Sequence, residues 1–273
     1  MRHLPQAAAV AASALAVSCT AAAVPALAAP ATEYVALGDS YASGVGTRDY
    51  FPDSGDCKRG PKAYPQLWAD EHGAAKFSFD ACSGAVTDDV NSGQLGSLSD
   101  STTLVTISVG GNDVGFSKTM ESCLLGSDDA CDKAVAAGED KARGELPAKL
   151  DTTYANIRKA APNAKVVVLG YPRINDLGDC GIPGYSATKR KRINEGADAL
   201  DEVISGRAEA AGFTFADPRQ VFDGHGVCSD QEWINGPSNP LTESFHPNVD
   251  GHAKGYLAVL DQATGHSSAT IRR

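Results

Sequence analysis

The chain has 273 residues, of which 42% are hydrophobic, and it carries a formal net charge of −10 at pH 7. A chain of this length buries enough apolar surface for one large domain. Its acidic charge argues against an anionic partner such as nucleic acid or an anionic membrane surface. We therefore expect no nucleic-acid partner. We also expect a small-molecule partner and a monomeric protein.

The first 28 residues have the layout of a secretory signal peptide. A basic start is followed by the apolar run Ala7–Val17 and by small residues up to Ala28, which is the order that signal peptidase recognises. The run is too short and too weakly apolar for a membrane anchor. We expect cleavage after Ala28 or Ala29, secretion of residues 29–273 as a single domain and, because no second long apolar run follows, no integral membrane association.

Short apolar runs alternate with amphipathic segments along the rest of the chain. Period-2 or continuous apolar runs predict strands, and apolar residues at helical spacing predict helices. In chain order, the pattern predicts strand Tyr34–Leu37, helix Tyr64–Glu71, strands Lys76–Asp80 and Leu104–Val109, helix Glu139–Ala161, strand Lys165–Leu169, helix Thr188–Ala211, strand Phe213–Ala216 and helix His252–Thr264. Strands that alternate with long helices favour a parallel sheet covered on both faces. The sequence therefore predicts a single-domain, three-layer α/β/α fold with five parallel strands.

Six cysteines follow the predicted signal peptide, and Cys19 lies within it. An even number of cysteines behind an export signal predicts three disulfides rather than a metal site, since no CxxC spacing is present. Five of the six lie in stretches predicted to be irregular, where disulfides would pin loops: Gly44–Gly60, Gly111–Gly138, Tyr171–Ser186 and Asp217–Pro247. Six cysteines allow 15 pairings, and Cys123 and Cys131 are close enough in sequence to close a small loop.

Polar or backbone-exposing residues stand at the ends of the first three predicted strands. Ser40 follows the first strand, Gly84 the second and Asn112 the third, while His246 lies just before the last helix. Each residue alone is compatible with an ordinary cap or turn. Ligands of a parallel sheet bind at the carboxyl ends of its strands, so the four together predict a catalytic site at that edge.

Four sequence blocks at these junctions resemble the SGNH hydrolases, also called GDSL-type esterases and lipases. The blocks are "ALGDSYASG", "DACSGAVT", "ISVGGNDVGF" and "SFHPNVDGH", which span Ala36–His252. With the export signal and six cysteines, the chain resembles the secreted actinobacterial lipases and esterases of that family. The resemblance implies a flavodoxin-like SGNH hydrolase fold and acyl transfer without a cofactor or metal. We expect His225 and His252 to be structural or solvated rather than metal ligands.

The resemblance also assigns roles that acyl-transfer chemistry requires. Ser40 is expected to be the nucleophile and His246 its base. The oxyanion donors are expected to be the backbone N–H groups of Ser40 and Gly84 and the side-chain amide of Asn112. The predicted disulfides join neighbours in sequence, each closing a separate excursion, and the resemblance points the same way: Cys57–Cys82, Cys123–Cys131 and Cys180–Cys228.

One position departs from the common family pattern. Many members have Asp three residues before the catalytic His, but this chain has Glu243 there. The group that orients His246 is therefore either the Glu243 carboxylate or a backbone carbonyl, of which that of Ser244 is favoured because Pro247 biases His246 to an extended conformation. The prediction is a lipase or esterase that cleaves fatty-acyl esters. A polysaccharide acetylesterase or deacetylase, a phospholipase and a non-catalytic binding module are the alternatives, and the sequence does not fix the acyl-chain length.

Overall fold

A five-stranded sheet forms the centre of the structure, a computed structural model that describes residues 31–266. The predicted signal peptide, its cleavage site and Cys19 lie outside the described residues. The strands are β1 (Glu33–Gly38), β2 (Lys76–Phe79), β3 (Leu104–Ser108), β4 (Lys165–Leu169) and β5 (Thr214–Ala216). Their order across the sheet is β2-β1-β3-β4-β5, and every neighbouring pair is parallel. The predicted parallel sheet is confirmed.

Helices connect the strands and cover the sheet. They are α1 (Ser40–Ser43), α2 (Tyr64–Glu71), α3 (Thr87–Asp89), α4 (Gly111–Val114), α5 (Phe116–Leu125), α6 (Asp128–Gly144), α7 (Leu146–Ala160), α8 (Ala187–Ala210) and α9 (Leu257–Thr264). Shorter 3-10 segments lie at Pro52–Cys57, Leu95–Ser97 and Leu241–Glu243, and π-helical segments at Val90–Gln94 and Gly251–Tyr256. Helix α2 packs against α9, whereas α6, α7 and α8 pack against one another. Because α8 and α9 both contact β4 and β5, the sheet lies between two helical layers, as predicted.

The central strands are buried because they are apolar on both faces. Every residue of β3 is buried, and so is every residue of β4 after Lys165. Nearly continuous runs of Val, Leu and Ile suit strands that helices cover on both sides. Among these apolar residues, the hydroxyls of Tyr34 and Thr106 are hydrogen-bonded to each other, with 2.8 Å between Oη and Oγ1. This packed layer fixes the carboxyl ends of β1 and β3, where the candidate site lies.

The segment after β3 is more helical than its sequence predicts. Residues Gly111–Gly138 were expected to be irregular, but they contain α4, α5 and the first part of α6. Helix α6 begins where the Ser127 hydroxyl accepts the N–H of Ala130, with Asp128 and Asp129 in the first turn. An N-cap serine followed by acidic residues is a typical helix start, because it satisfies free N–H groups and complements the helix dipole.

The single helix predicted over Glu139–Ala161 is in fact two helices. Helix α6 ends at Gly144 and α7 begins at Leu146, with Glu145 between them. Pro147 stands in the first turn of α7, where a missing N–H costs no helical hydrogen bond. The apolar spacing continues through the break, so periodicity alone did not reveal it.

Helix α8 extends past the carboxyl edge of the sheet. Its 24 residues span about 36 Å at 1.5 Å per residue, whereas a five-residue strand spans about 17 Å. The Cδ1 atom of Ile204 lies 3.6 Å from the position that a Cβ would take on Gly110, directly after β3. Because α8 connects two parallel strands, it runs antiparallel to them, so the residues before Ile204 lie beyond the sheet. There α8 packs against α6.

Three disulfides pin the connections of the fold. They join Cys57 to Cys82, Cys123 to Cys131 and Cys180 to Cys228, which are the predicted pairs. The second bond joins α5 to α6 and closes the turn between them. Among residues 31–266, no helix is long and apolar enough to cross a membrane.

Candidate active site

Ser40 lies at the carboxyl end of β1, where the strand turns sharply into α1. Gly38 has a φ of +126°, and a Cβ on it would lie 2.4 Å from the carbonyl oxygen of Ser108 in β3. Only glycine fits this conformation and this close approach. Asp39 then caps α1 by accepting the N–H of Tyr41 at 3.0 Å. Ser40 is the first residue of α1 and is 7% exposed, so the turn presents its hydroxyl at the carboxyl edge of the sheet.

His246 faces Ser40 although 206 positions separate the two residues in sequence. Its Nε2 atom lies 2.8 Å from Ser40 Oγ, and its Nδ1 atom lies 2.9 Å from the backbone carbonyl oxygen of Ser244. A carbonyl oxygen only accepts hydrogen bonds, so Nδ1 carries the proton and Nε2 offers its lone pair to the serine hydroxyl. The predicted nucleophile and base are thus within hydrogen-bond reach of each other.

The Glu243 carboxylate makes its hydrogen bonds away from His246. Its Oε2 atom accepts the N–H of Gly46 at 2.7 Å and the hydroxyl of Tyr50 at 2.6 Å. Its Oε1 atom lies 3.7 Å from Lys58 Nζ. Of the two orienting groups considered from the sequence, the Ser244 carbonyl is therefore the one that contacts the imidazole.

The loop that carries His246 is held in an uncommon backbone conformation. Phe245 has a φ of +59°, a left-handed geometry that is unfavourable for a bulky residue. Its carbonyl oxygen accepts the Tyr41 hydroxyl at 2.6 Å, and its N–H donates to the carbonyl of Asn235 at 2.8 Å. The N–H of Asn235 in turn donates to the His246 carbonyl at 2.9 Å. These bonds hold the turn that directs the imidazole toward Ser40.

Two of the three predicted oxyanion donors, Gly84 and Asn112, lie on the neighbouring segments that follow β2 and β3. Asn112 Nδ2 donates one of its two hydrogens to the carbonyl of Ala85 at 3.0 Å, which ties the loop after β3 to the loop after β2. Gly84, next to Ala85, has a φ of +82°, and a Cβ on it would meet nothing within 4 Å. Its backbone conformation, rather than crowding, therefore accounts for the glycine.

A buried hydrogen-bond chain connects the Ser40 turn to the Asn112 loop. The Tyr171 hydroxyl donates to Asp39 Oδ2 at 2.5 Å and accepts the N–H of Gly111 at 3.2 Å. Burial raises the pKa of Asp39 to about 7, although the hydrogen bond from Tyr171 lowers it. Asp39 and Gly111 directly precede Ser40 and Asn112, so this chain fixes the spacing of the two candidate residues.

The imidazole of His246 is neutral at pH 7 because of its surroundings. Burial lowers the pKa of His246 from 6.5 to about 4, and the hydrogen bond to Ser244 and the charge of Glu243 oppose this only partly. A neutral ring is the form that accepts a proton. The geometry and the protonation state therefore both suit a general base that acts on the Ser40 hydroxyl.

A cavity begins at Ser40 and continues between helices. Its volume is about 730 Å³ including its open mouth. Ser40 and Asn112 line it together with the loop residues Asp39, Gly111 and Tyr171. The rest of the wall is mainly apolar and comes mostly from α5, α6 and α8. The reactive hydroxyl thus lies at one side of an apolar pocket.

Comparison with known proteins identifies the family of this chain. Residues 36–254 match the model of the GDSL-like Lipase/Acylhydrolase family. The chain belongs to this family. It is 51% identical over 234 residues to "Lipase 1" of Streptomyces coelicolor, an alignment that covers 85% of this chain and 87% of that protein. The resemblance stated from the four sequence blocks is confirmed, and the protein is an ester hydrolase.

Solved structures of two GDSL-like relatives have the same fold. The extracellular lipase of Streptomyces rimosus is 46% identical, with a TM-score of 0.83 over 85% of this chain and 100% of that chain. Phospholipase A1 of Streptomyces albidoflavus NA297 is 45% identical, with a TM-score of 0.83 over 85% of this chain and 99% of that chain. The predicted SGNH hydrolase fold is thus confirmed.

The other histidines singled out from the sequence pack within this GDSL-like fold. His252 is fully buried beside Tyr64 and lies with Nδ1 3.3 Å from the Tyr64 N–H. The ring of His225 stacks on Trp233 with centroids 3.7 Å apart. Among the described residues, one group of side chains has its potential metal ligands close together: Glu71, His72 and Asp261. They lie at the carboxyl ends of α2 and α9, away from Ser40.

Two residues that organise the site were missed by the sequence analysis. Tyr171 lies two residues after the end of β4, so the rule that located Ser40 and Asn112 at strand ends also pointed to it. Gln94 holds both backbone groups of Gly38, accepting its N–H at 2.7 Å and donating to its carbonyl at 2.9 Å. Gln94 lies in a π-helical segment and carried no comparable sequence signal.

Proposed function

We propose that the protein is an extracellular lipase that cleaves fatty-acyl esters through a Ser40–His246 dyad. The observation that carries the proposal is the 2.8 Å contact between Ser40 Oγ and His246 Nε2 at the side of an apolar cavity. An apolar cavity supports the binding of an acyl chain, since burying each methylene is favourable by about 0.8 kcal/mol. A polysaccharide acetylesterase needs room for one methyl group and polar groups for the sugar, which this wall does not favour.

In the proposed mechanism, His246 Nε2 takes the proton of Ser40 as Oγ attacks the ester carbonyl carbon. The N–H groups of Ser40 and Gly84 and the second amide hydrogen of Asn112 stabilise the negative oxygen of the tetrahedral intermediate. His246 returns the proton to the leaving alcohol, which produces the acyl-enzyme. Water then attacks the acyl-enzyme with His246 again as base, and Ser40 is regenerated.

In this dyad, the Ser244 carbonyl takes the place of the carboxylate that orients the histidine of a catalytic triad. It holds the Nδ1 proton, which fixes the ring and its tautomer. No step uses a metal or another cofactor, so activity after dialysis against EDTA is expected to equal that before it. A loss of activity that a divalent ion restores would contradict this step of the proposal.

Export and processing are part of the proposal. We infer a signal peptide over residues 1–28 with cleavage after Ala28 or Ala29, and a monomeric mature enzyme of residues 29–273. Three disulfides within the described residues support an oxidising destination, as does similarity to an extracellular lipase. N-terminal sequencing of the protein from culture medium and its elution volume in size-exclusion chromatography test both points.

Phospholipids are a second candidate substrate. Similarity to a phospholipase A1 over 99% of that chain favours them, and the same acyl cavity serves either lipid. Hydrolysis of matched triacylglycerol and phosphatidylcholine emulsions distinguishes the two, because only the leaving group differs. Faster release of acid from one emulsion identifies the preferred headgroup.

Replacement of the dyad residues tests the chemistry directly. Ser40→Ala and His246→Ala are each expected to lower kcat on a soluble butyrate ester by at least 10³-fold, while the thermal unfolding midpoint changes little. Ser101→Ala and His225→Ala, which change the same residue types elsewhere, serve as controls. An organophosphate ester should label the wild type and not Ser40→Ala. Turnover near the wild-type value in either dyad variant would remove the proposed mechanism.

A further inference from the structure

The cavity wall is built from three helical faces. The apolar wall positions repeat at the spacing that places residues on one side of a helix. They are Phe116 and Met120 on α5, Val135 and Ala142 on α6, and Ile193, Ala197 and Leu200 on α8. Glycines stand on two of the same faces, Gly138 on α6 and Gly196 on α8. Since α5 and α6 are joined by the Cys123–Cys131 bond, half of the wall is a disulfide-closed helical hairpin.

The two glycines differ in what they do for the packing. A Cβ on Gly196 would lie 2.7 Å from Val135 Cγ1, so glycine is needed there for α6 and α8 to approach. A Cβ on Gly138 would meet only ordinary contacts, at 3.7 Å from the Val114 carbonyl and 3.9 Å from Thr119 Oγ1. Gly138 has helical backbone geometry within α6, so neither backbone strain nor crowding requires a glycine.

Glycine in the interior of a helix is unfavourable compared with alanine. The helix itself therefore does not explain why position 138 is a glycine. The cavity beside it does. Gly138 lines the cavity together with Val114 and Thr119, the two residues that a Cβ would approach. Any larger side chain at this position would take up volume that the cavity now offers.

An ion pair fixes this part of α6 against α8. Glu139, the next residue, accepts two hydrogen bonds from the guanidinium of Arg192, at 2.6 and 3.1 Å. Both side chains are less than 20% exposed. The pair links the two helices directly beside Gly138, which opposes outward movement of the wall.

We propose that Gly138 sets the length of the acyl chain that the enzyme accepts, and that the α5–α6 hairpin is its chain-length selectivity element. This inference rests on the proposed function, because it assumes that the acyl chain of the substrate occupies the cavity beside Ser40. Short acyl groups end before they reach Gly138. Long ones pass it and gain contacts with the wall formed by α6 and α8.

A series of substitutions with a matched control tests the proposal. Gly138→Ala, Gly138→Val and Gly138→Leu are compared with Gly144→Leu, a glycine of the same helix that is exposed and outside the cavity wall. The measurement is kcat/KM for p-nitrophenyl esters from butyrate to palmitate. Each excluded methylene forfeits about 0.8 kcal/mol of burial, or about fourfold in kcat/KM. With three methylenes excluded, the palmitate-to-butyrate ratio is expected to fall on the order of 50-fold in Gly138→Leu and to stay unchanged in Gly144→Leu.

The outcomes separate this inference from the proposed function. If Ser40→Ala is inactive but the Gly138 series keeps the wild-type chain-length profile, the length-setting role is wrong and the dyad stands. Equal losses on butyrate and palmitate in folded Gly138→Leu also overturn it, because a length gauge spares the short ester. If the Leu variant does not fold, the Ala and Val variants decide, since the ratio should then decrease stepwise with side-chain size.

Discussion

The substitution Glu243→Gln separates a dyad from a triad, because it keeps the shape of the side chain and removes its charge. In the structure, the carboxylate contacts Gly46 and Tyr50, whereas the imidazole Nδ1 contacts the Ser244 carbonyl at 2.9 Å. Loss of a triad acid would lower turnover on the order of 10⁴-fold through the wrong tautomer. Here the Ser244 carbonyl keeps the tautomer, so a much smaller effect is expected.

The size of that effect follows from what the charge does. Burial lowers the pKa of His246, and the negative charge of Glu243 partly offsets this. Removing the charge disfavours the protonated ring that forms in the transition state, which we expect to lower kcat by about tenfold or less. Stability responds differently. An amide oxygen in place of Oε2 loses charge-assisted hydrogen bonds from Gly46 and Tyr50, at a cost of about 1.5–3 kcal/mol in the free energy of unfolding.

The assay combines turnover with denaturation. The kcat and KM for a soluble butyrate ester and the free energy of unfolding in urea are measured for Glu243→Gln, Tyr50→Phe and His246→Ala. Tyr50→Phe removes one hydrogen bond to the carboxylate and leaves its charge in place, so it should lose stability and keep turnover. A fall of Glu243→Gln turnover to the level of His246→Ala would refute the dyad.

Three further predictions concern pH, the Tyr171 link and the hairpin disulfide. Folding lowers the pKa of His246 from 6.5 to about 4, so kcat/KM should fall at acid pH with a midpoint near 4, which a pH–rate profile measures. For the same reason, the contribution of His246 to the free energy of unfolding is present above pH 6.5 and should be lost progressively as the pH falls from 6.5 to 4, which a pH–stability profile measures. Tyr171→Phe removes the hydroxyl between Asp39 and Gly111 and should lower the free energy of unfolding by about 1.5–3 kcal/mol and kcat severalfold. Urea titration and steady-state kinetics would measure the two effects. Replacing Cys123 and Cys131 by Ser should lower stability by about 2.5 kcal/mol for this short loop and reduce palmitate hydrolysis more than butyrate hydrolysis; unchanged thermal unfolding would contradict the first effect.

The sheet and the positions of the candidate residues were predictable because they depend on local sequence. Runs such as "KVVVL" and "LVTIS" identify buried parallel strands without reference to distant residues. Once the strands are identified, their carboxyl ends are known, and Ser40 and Asn112 are predicted to lie at the same edge of the sheet. The disulfide pairs were predicted as neighbours in sequence that each close a separate excursion, and the family resemblance agreed with that pairing.

The sequence reduced the group that orients His246 to two choices, the Glu243 carboxylate and a backbone carbonyl. It could not decide between them, because the answer depends on long-range contacts. Glu243 is held by Gly46 and Tyr50, which lie 197 and 193 positions away, and no local pattern reports such contacts. The turn at Phe245 has a positive φ that neither its residue type nor the following sequence suggests. Tertiary contacts impose it, through the Tyr41 hydroxyl on the Phe245 carbonyl.

The helical structure between Gly111 and Gly138 was not predicted, because the polar and small residues of this stretch obscured it. Ser127 with Asp128 and Asp129 does carry a helix-start signal, but the Gly, Ser and Asp content of the segment also suits loops. The helices that were not predicted are those that form the α5–α6 side of the cavity wall.

The catalytic residues and the proposed chain-length element lie in different parts of the fold. The Ser40 turn and the Asn112 loop rest on β1 and β3, whose packing leaves little freedom, so the reacting atoms keep a fixed geometry. The α5–α6 hairpin lies beyond the sheet edge, where its own disulfide and the Glu139–Arg192 pair hold it. It also contacts elements of the site, since the ring of Phe116 packs edge-on against that of Tyr41 and α6 packs against α4. The Ser40–His246 contact itself is made by residues outside the hairpin. A change on the cavity face of this hairpin therefore alters which acyl chain fits and leaves the Ser40–His246 contact in place. That separation is why the Gly138 variants should change chain-length preference while turnover of the shortest ester persists.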